Sequence, residues 1–357
     1  MESKVKISMK KESRDSKPTI VDVARLAGVS PATVSHVLNK TKRVTPETEE
    51  KVLQAVKTLR YQKNALASTL RSRNSQVIGF VTSQLHSIFW LRVIRAVEYT
   101  LSQNGYQMFL GCSYGDPARE LELIESMLQS MVGGVIIATC INEINEKELP
   151  ISPQIMNFLE ERCVFVDTYP SGMNVDFVGV NNEEASFQLV ELLLKKGYRR
   201  IAMVNGDSRI LTARERRSGF FKALKEYAVS VDERYIFEGK NLGKRTGLEG
   251  ANYLLSLDSP PEAVFLASGN LTVGFLEGCR EKGVRIPGDI ELVGFDDIEW
   301  TPVIEPFLTC CVQPSWDIGE TAASLLLEKI QEKKEGRAKR EVRLKCEVVI
   351  RNTFQKG

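Results

Sequence analysis

The sequence has 357 residues and contains no run of about 18 apolar residues, the length that a membrane-spanning helix needs. Its N-terminus also lacks the apolar core of a signal peptide, so we expect a cytoplasmic protein with no membrane contact. Histidine occurs only twice, and none of the seven cysteines forms a C-x-x-C pair. These counts argue against a metal site, and we expect the cysteines to be reduced packing residues.

Sequence patterns typical of several enzyme classes are missing as well. We find no G-x-G-x-x-G fingerprint, no P-loop and no convincing pair of nucleophile and base. The sequence therefore predicts neither an enzyme nor a bound cofactor.

Charge is distributed unevenly along the chain. Residues 1–73 carry 16 Lys and Arg against 7 Asp and Glu, whereas the remaining residues carry 32 against 39. A basic N-terminal part on an acidic body indicates that only the first part meets a polyanion such as DNA.

Residues 19–39 have the pattern of a helix-turn-helix, T-I-V-D-V-A-R-L-A-G-V-S-P-A-T-V-S-H-V-L-N. Gly28 suits a sharp turn, and Ser30 followed by Pro31 is typical of a helix start. Val34 and Val37 would face inward. The outward positions would then be Ala32, Thr33, Ser35, His36 and Asn39, whose small or hydrogen-bonding side chains fit base edges and phosphates.

The rest of the N-terminal region has three parts. Residues 1–18 are polar and basic and are predicted to be a disordered tail. Residues 46–61 predict a third helix that begins after Thr45, which completes a DNA-binding domain over 19–63. Residues 64–74 are too short for a helix that is stable alone, and we interpret them as a hinge helix or linker.

From residue 77 onward, apolar strand-like runs alternate with amphipathic helices. Two successive series of such units predict two similar α/β lobes with parallel sheets. Ligands of such folds bind outside the carboxyl ends of the strands, so a cleft between the lobes is the expected site.

These segments, in this order, resemble the LacI/GalR family of bacterial transcriptional regulators. Residues 19–39 match nearly every fixed position of the family's N-terminal motif, and V-G-F-D-D at 293–297 and Q-P at 313–314 match motifs of its body. The resemblance implies an all-α helix-turn-helix head and a two-lobed α/β effector domain similar to periplasmic binding proteins. That domain would span 75–357, with the first lobe at about 75–180 and 313–340 and the second at about 181–312 and 341–357.

The resemblance also implies DNA-binding residues and a homodimer on a pseudopalindromic operator. The family's variable recognition positions correspond to Pro31, Ala32 and His36, of which only His36 offers a polar side chain for base readout. Leu70 stands where family members insert a leucine into the minor groove. The full predicted set is Thr19, Pro31, Ala32, Thr33, Ser35, His36, Asn39 and Leu70.

For the effector cleft, the resemblance implies six residues: Phe89, Trp90, Thr212, Arg216, Ser268 and Asp296. The aromatic rings would stack on the ligand, and Arg216 and Asp296 would hydrogen-bond it. Where family members often have Asn-Asp after a strand of the second lobe, this chain has Ser268-Gly269-Asn270, which puts an ordinary monosaccharide in doubt. Four arginines near the predicted cleft, Arg209, Arg214, Arg216 and Arg217, suggest a sugar acid or phosphate as one class of effector.

The sequence thus predicts a DNA-binding repressor that is controlled by a small molecule. One alternative is a regulator of the same family that is controlled by a protein corepressor. A plain ligand-binding protein is a second alternative, which the basic N-terminal part argues against.

Overall fold

The computed structural model describes residues 18–39, 42–61, 75–85, 87–143, 150–297, 308–332 and 338–351. The chain divides into two compact units, Met1–Asn74 and Ser75–Gly357. We call the described part of the first unit the head and that of the second unit the body, and we describe each by itself. The predicted linker with Leu70, and the predicted tail up to residue 17, lie outside the described residues.

The head consists of three helices around a small apolar core. The helices are α1 Ile20–Ala27, α2 Pro31–Asn39 and α3 Pro46–Thr58. Gly28 ends α1 with a left-handed φ of 67°, as its position in the turn predicts. The third helix is shorter than expected: it ends at Thr58 rather than Tyr61, because Arg60 takes a left-handed φ of 48° and turns the chain away. The buried core residues of the head are Val23, Ala24, Val34, Val37, Val52 and Ala55.

The body contains two six-stranded sheets, each covered by helices. The first sheet is parallel throughout, in the order β11-β5-β4-β3-β1-β2. Its strands are β1 Val77–Thr82, β2 Gln107–Cys112, β3 Val135–Ala138, β4 Cys163–Val166, β5 Asp176–Val180 and β11 Glu341–Leu344. Its helices are α4 Ile88–Gln103, α5 Pro117–Gln129, α6 Pro153–Arg162 and α11 Ser315–Glu332. We call this half the first lobe.

The second lobe repeats the same plan. Its sheet has the order β12-β10-β9-β8-β6-β7, in which only β12 runs antiparallel. The strands are β6 Ile201–Asn205, β7 Ile236–Glu238, β8 Ala263–Leu266, β9 Glu291–Phe295, β10 Thr309–Val312 and β12 Glu347–Val349. The helices are α7 Asn182–Lys195, α8 Leu211–Glu226, α9 Lys244–Leu254 and α10 Gly269–Glu281. By position in the sheets, β4 of the first lobe is the counterpart of β9.

The chain passes between the lobes after β5, after β10 and again after β11. The last passage corrects the sequence-based boundary, which assigned residues 341–357 to the second lobe. Residues 341–344 form β11 and pair with β5 of the first sheet, so this passage lies between Leu344 and Glu347 rather than at Arg340. Because an edge strand is recruited by a neighbour distant in sequence, its local pattern does not indicate which sheet it joins.

The inner strands of both sheets are buried and mainly apolar because helices cover both faces of each sheet, whereas the edge strands β2, β7, β11 and β12 are partly exposed. One charged pair is also buried in the first lobe: Nζ of Lys329 on α11 lies 2.6 Å from Oδ2 of Asp176 at the start of β5. The same ammonium donates to the carbonyl oxygens of Glu160 and Cys163, both at 2.8 Å. Burial lowers the pKa of Lys329, and Asp176 opposes that shift. Within the described ranges, no helix is long and apolar enough to cross a membrane.

Candidate functional site

The head exposes one side of α2 and buries the other. Val34 and Val37 pack into the head core. The predicted DNA-binding positions occupy the remaining surface: Pro31 and Ala32 are exposed, and Thr33, Ser35 and His36 are half-buried. Asn39 ends the helix, and its side chain is outside the description. The arrangement presents a short helix face of the kind that enters a major groove.

Two capping hydroxyls fix the ends of the helices that frame this face. Ser30 Oγ accepts a hydrogen bond from the backbone N–H of Thr33 at 3.1 Å, which starts α2. Thr19 Oγ1 lies 2.6 Å from Asp22 Oδ2, and the Thr19 backbone N–H donates to the same oxygen. These bonds hold the pKa of Asp22 below its usual range. Thr19 therefore has a capping role in the head, whatever contact it makes with DNA.

The body contains a cavity of about 340 Å³ between its two lobes. Its lining residues follow the carboxyl ends of strands or begin helices in both lobes. They include all six predicted effector residues, Phe89, Trp90, Thr212, Arg216, Ser268 and Asp296. The cavity lies where two-lobed α/β folds bind ligands.

The first lobe contributes an aromatic wall from the start of α4. The rings of Phe89 and Trp90 meet edge to face, with their centroids 5.0 Å apart. Ser87 precedes the helix and makes no capping bond with its side chain among the described residues. The first N–H groups of α4 therefore lie beside the two rings at the cavity, as donors without a side-chain acceptor.

Arg216 extends from α8 and is only 3% exposed. Its Nε donates to Asn182 Oδ1 at 2.9 Å, and its Nη1 donates to the Ala267 carbonyl at 2.7 Å. The guanidinium carbon lies 3.7 Å from the centroid of the Phe295 ring. Because these contacts use two of the five N–H groups, the guanidinium is held in one orientation and keeps donors for a ligand.

Two aspartates face the cavity from equivalent places, one in each lobe. Asp167 follows β4 and Asp296 follows β9, and both have left-handed backbones, with φ of 69° and 74°. Asp296 accepts from Gln313 Nε2 at 2.5 Å and from the Gly269 backbone N–H at 3.3 Å. The repeated plan of the lobes thus brings two carboxyl groups to one ligand-sized space.

The carboxyl group of Asp167 has a pKa above the usual range of an aspartate. Burial raises its pKa to about 6, and the carboxylates of Asp296 and Glu215 add to the rise, whereas Arg216 opposes it. A group near its titration point responds strongly to any ligand that donates to it or carries charge.

Ser268 lies at the cavity, but its hydroxyl has two partners within the protein. It donates to the Leu242 carbonyl at 2.9 Å and accepts from the Leu271 backbone N–H at 3.1 Å, which caps α10. Its side chain thus ties the loop at Leu242 to the start of α10, and the predicted contact with the effector stays a prediction.

Several lining residues were missed by the sequence analysis: Gln84, Asp167, Asn270 and Gln313. The carbonyl oxygen of the Gln313 side chain is buried without a partner among the described residues. A usable signal existed for Asp167, because Val166-Asp167 ends a strand as Phe295-Asp296 does.

The expected arginine cluster does not form at this cavity. Of the four arginines, only Arg216 lines it. Arg209 pairs with Asp207, and Arg217 pairs with Glu238. The charged groups at the cavity are therefore one guanidinium, that of Arg216, and three carboxyl groups, those of Asp167, Asp296 and Asp297.

Comparison with known proteins agrees with both parts of this description. Residues 19–64 match the family "Bacterial regulatory proteins, lacI family", and residues 190–354 match a periplasmic binding protein-like domain. A protein of Mannheimia succiniciproducens named HTH-type transcriptional repressor PurR is 32% identical over 339 residues, covering 95% of this chain and 99% of its own. The repressor of the same name from Vibrio parahaemolyticus is 31% identical over 338 residues, with the same coverage.

Solved structures show the same fold. The lac repressor dimer bound to operator and the anti-inducer ONPF superimposes with a TM-score of 0.80 at 24% identity, covering 95% of this chain and 99% of its own. A complex of the transcriptional regulator CelR with cellobiose gives a TM-score of 0.69 at 26% identity, with 94% and 99% covered.

A helix-turn-helix head followed by a two-lobed ligand-binding body defines a class of transcriptional regulators. The chain belongs to the LacI family of that class and is a DNA-binding transcriptional repressor. Its relatives are named as repressors rather than as enzymes.

Proposed function

We propose that this repressor binds a pseudopalindromic operator as a homodimer and that a small molecule between its lobes controls operator affinity. The observation that carries the proposal is the cavity itself, since residues from both lobes line it. A ligand that contacts both lobes favours one arrangement of the lobes over another. It can change operator affinity only to the extent that it binds these two arrangements with different affinity. In the head, His36 would supply most of the direct base readout.

The proposed ligand is an uncharged molecule with several hydroxyl groups. Asp167, Asp296 and the side-chain oxygen of Gln313 offer acceptors, and hydroxyl groups are the donors that suit them. An anion would meet three carboxyl groups at the cavity, whereas two N–H groups of Arg216 are already hydrogen-bonded to the protein. The apolar faces of a sugar ring would pack on Phe89 and Trp90. The CelR structure carries a ligand of this chemistry, cellobiose.

The experiment first selects operator DNA from a random pool with the full-length protein. Operator affinity is then measured with and without a panel of neutral mono- and disaccharides, with the corresponding sugar acids and sugar phosphates as a second panel. At least one neutral sugar is expected to change operator affinity by roughly 5- to 150-fold, the usual range of allosteric coupling.

Arg216→Ala is expected to abolish that response while the head still binds non-specific DNA. Arg340→Gln, which alters an ion pair on the first lobe, is the control and should respond like the parent. A response of Arg216→Ala equal to that of the parent would refute the cavity as the effector site and favour a protein corepressor. A response to sugar phosphates alone would refute the neutral class.

A further inference from the structure

An ion pair joins the two lobes next to the passages between them. Arg343 lies on β11 of the first lobe, and Glu215 lies on α8 of the second. The Arg343 Nη1 and a carboxylate oxygen of Glu215 are 2.8 Å apart, and the two side chains are 24% and 19% exposed. Because the pair is largely shielded from water, it is screened less than the exposed pairs of the surface.

Glu215 is linked to the cavity through one buried amide. Asn182, only 1% exposed, donates from Nδ2 to Glu215 Oε2 at 2.8 Å. Its Oδ1 accepts from Arg216 Nε at 2.9 Å. A continuous chain of hydrogen bonds therefore runs from Arg343 of the first lobe to the guanidinium that faces the cavity.

Arg343 is itself fixed within the first lobe. Its Nε donates to Glu341 at 2.6 Å, and its Nη1 donates to the Val180 carbonyl at 3.3 Å. Its guanidinium carbon also lies 5.2 Å from the centroid of the Phe177 ring. Val180 ends β5 directly before one passage between the lobes, and Arg343 precedes another by two residues. A change in the angle between the lobes therefore acts directly on these contacts.

We propose that Arg343, Glu215, Asn182 and Arg216 form a hinge clamp that sets the resting angle between the lobes and positions Arg216 for its ligand. Glu215 and Arg216 are consecutive on α8. A ligand that binds the Arg216 guanidinium therefore also shifts the Glu215 carboxylate, which pairs with Arg343. In this arrangement Arg343, Glu215 and Asn182 are positioning residues. The inference deepens the proposed function by naming its regulatory device and rests on it only for the identity of the ligand.

The test measures lobe opening without ligand or DNA, through the tryptophan in the cavity. Trp90 is 5% exposed and lies between the lobes, so opening them admits a quencher to its ring. In the full chain, Trp300→Phe and Trp316→Phe leave Trp90 as the sole tryptophan. Acrylamide quenching is then compared for the parent, Arg343→Gln, Glu215→Gln and the double variant.

Each single variant is expected to raise the quenching constant by roughly twofold or more, because loss of the pair lets the lobes open locally. The quenching constant of the double variant should be close to that of each single variant, because both substitutions remove the same interaction. Arg340→Gln is the matched control: it removes an arginine three residues away that pairs with Glu328 inside the first lobe, and its quenching should equal the parent's.

Arg343→Lys keeps the positive charge and should restore most of the parent's protection, which separates a clamp from a general packing role. Far-UV circular dichroism confirms that each variant is folded. Parent-like quenching of both single variants would overturn the clamp, as would additive effects in the double variant. Because no ligand is present, these outcomes stay distinct from a failure of the proposed effector site.

Discussion

The carboxyl group of Asp167 shows how one residue makes the whole body sensitive to pH. Its pKa is raised to about 6 in the folded protein, above the value of 3.8 for an exposed aspartate. Between these values the folded state holds a proton that the unfolded state has released. The contribution of this group to stability is therefore fully present below about pH 4 and is lost as pH rises through about 6.

Asp167→Asn removes this titration because an amide stays neutral. We expect parent and variant to have similar free energies of unfolding near pH 4. Above pH 7 the variant should be more stable, by up to about 3 kcal/mol if the shift is fully expressed. Urea unfolding at intervals between pH 4 and pH 8 measures the difference. The effects of Glu120 and Glu291, whose pKa values are also raised, cancel because both proteins contain them.

Asp289→Asn provides the control for this experiment. Asp289 is an exposed carboxylate whose pKa is lowered to about 2 by its hydrogen bonds with Arg285, so it does not titrate in this window. A pH profile of Asp167→Asn that runs parallel to the parent's would contradict the raised pKa of Asp167.

At the residue scale, the sequence located the cavity better than it described the chemistry there. The family resemblance implied Phe89, Trp90, Arg216 and Asp296 at the cleft, and these four residues do line one cavity. Asp167 was missed because the motif-bearing segments did not include the end of β4, although its counterpart after β9 was recognised. The hydrogen-bond and ion-pair partners of a side chain come from residues distant in sequence, and a short motif does not specify them.

At the scale of single elements, α10 depends on Ser268 for both its start and its attachment. The hydroxyl caps the helix and also holds the Leu242 carbonyl in a buried setting. Ser268→Ala is expected to lower the free energy of unfolding by about 1–2 kcal/mol, because a cap and a buried hydrogen bond are lost together. Denaturant unfolding at neutral pH measures the change.

Ser152→Ala is the matched control for this element. Ser152 caps α6 through the Ile155 N–H at 3.3 Å, but it is exposed, and its hydroxyl makes no second hydrogen bond with the part of the chain that the structure describes. Its replacement should therefore cost less than that of Ser268. Equal losses for the two variants would show that the Leu242 contact contributes nothing.

Helices and strands were predictable wherever their signals are local. Gly28, Ser30 and Thr45 mark the turn and the helix starts of the head, and apolar runs mark the buried strands of both sheets. The length of α3 was overestimated because the left-handed backbone after the helix falls on Arg60. A glycine or asparagine there would have marked the end of the helix in the sequence. β11 was assigned to the wrong lobe because it pairs with β5, about 160 residues earlier, and its own sequence does not indicate this partner.

At the scale of the whole molecule, the edge of the first sheet supports the homodimer that we propose. The edge strand β2 exposes Phe109 and Leu110, which are 50% and 39% accessible. Apolar side chains on an unpaired sheet edge favour pairing with another chain. Light scattering of the parent should give about twice the chain mass of 40.1 kDa.

The double variant Phe109→Glu/Leu110→Glu is expected to shift this mass toward that of a single chain, because it places two charges in the contact. Met131→Glu, at an exposed apolar residue outside the strands, should leave the mass unchanged. A parent that scatters as a single chain, or a double variant that keeps the parent's mass, would contradict this placement of the dimer contact.

The path of the chain through the body also fixes the order in which its parts are completed during synthesis. The first lobe receives α11 and β11 only after every strand of the second lobe except β12 has been made, so its sheet lacks an edge strand and a covering helix until residue 344 is in place. Asp176 is buried against Lys329, which follows it by 153 residues. The Lys329 ammonium therefore reaches this carboxylate only late in synthesis, whereas the head is complete once residue 61 has been made. A ribosome stalled late in translation therefore carries a finished DNA-binding domain on an unfinished regulatory body.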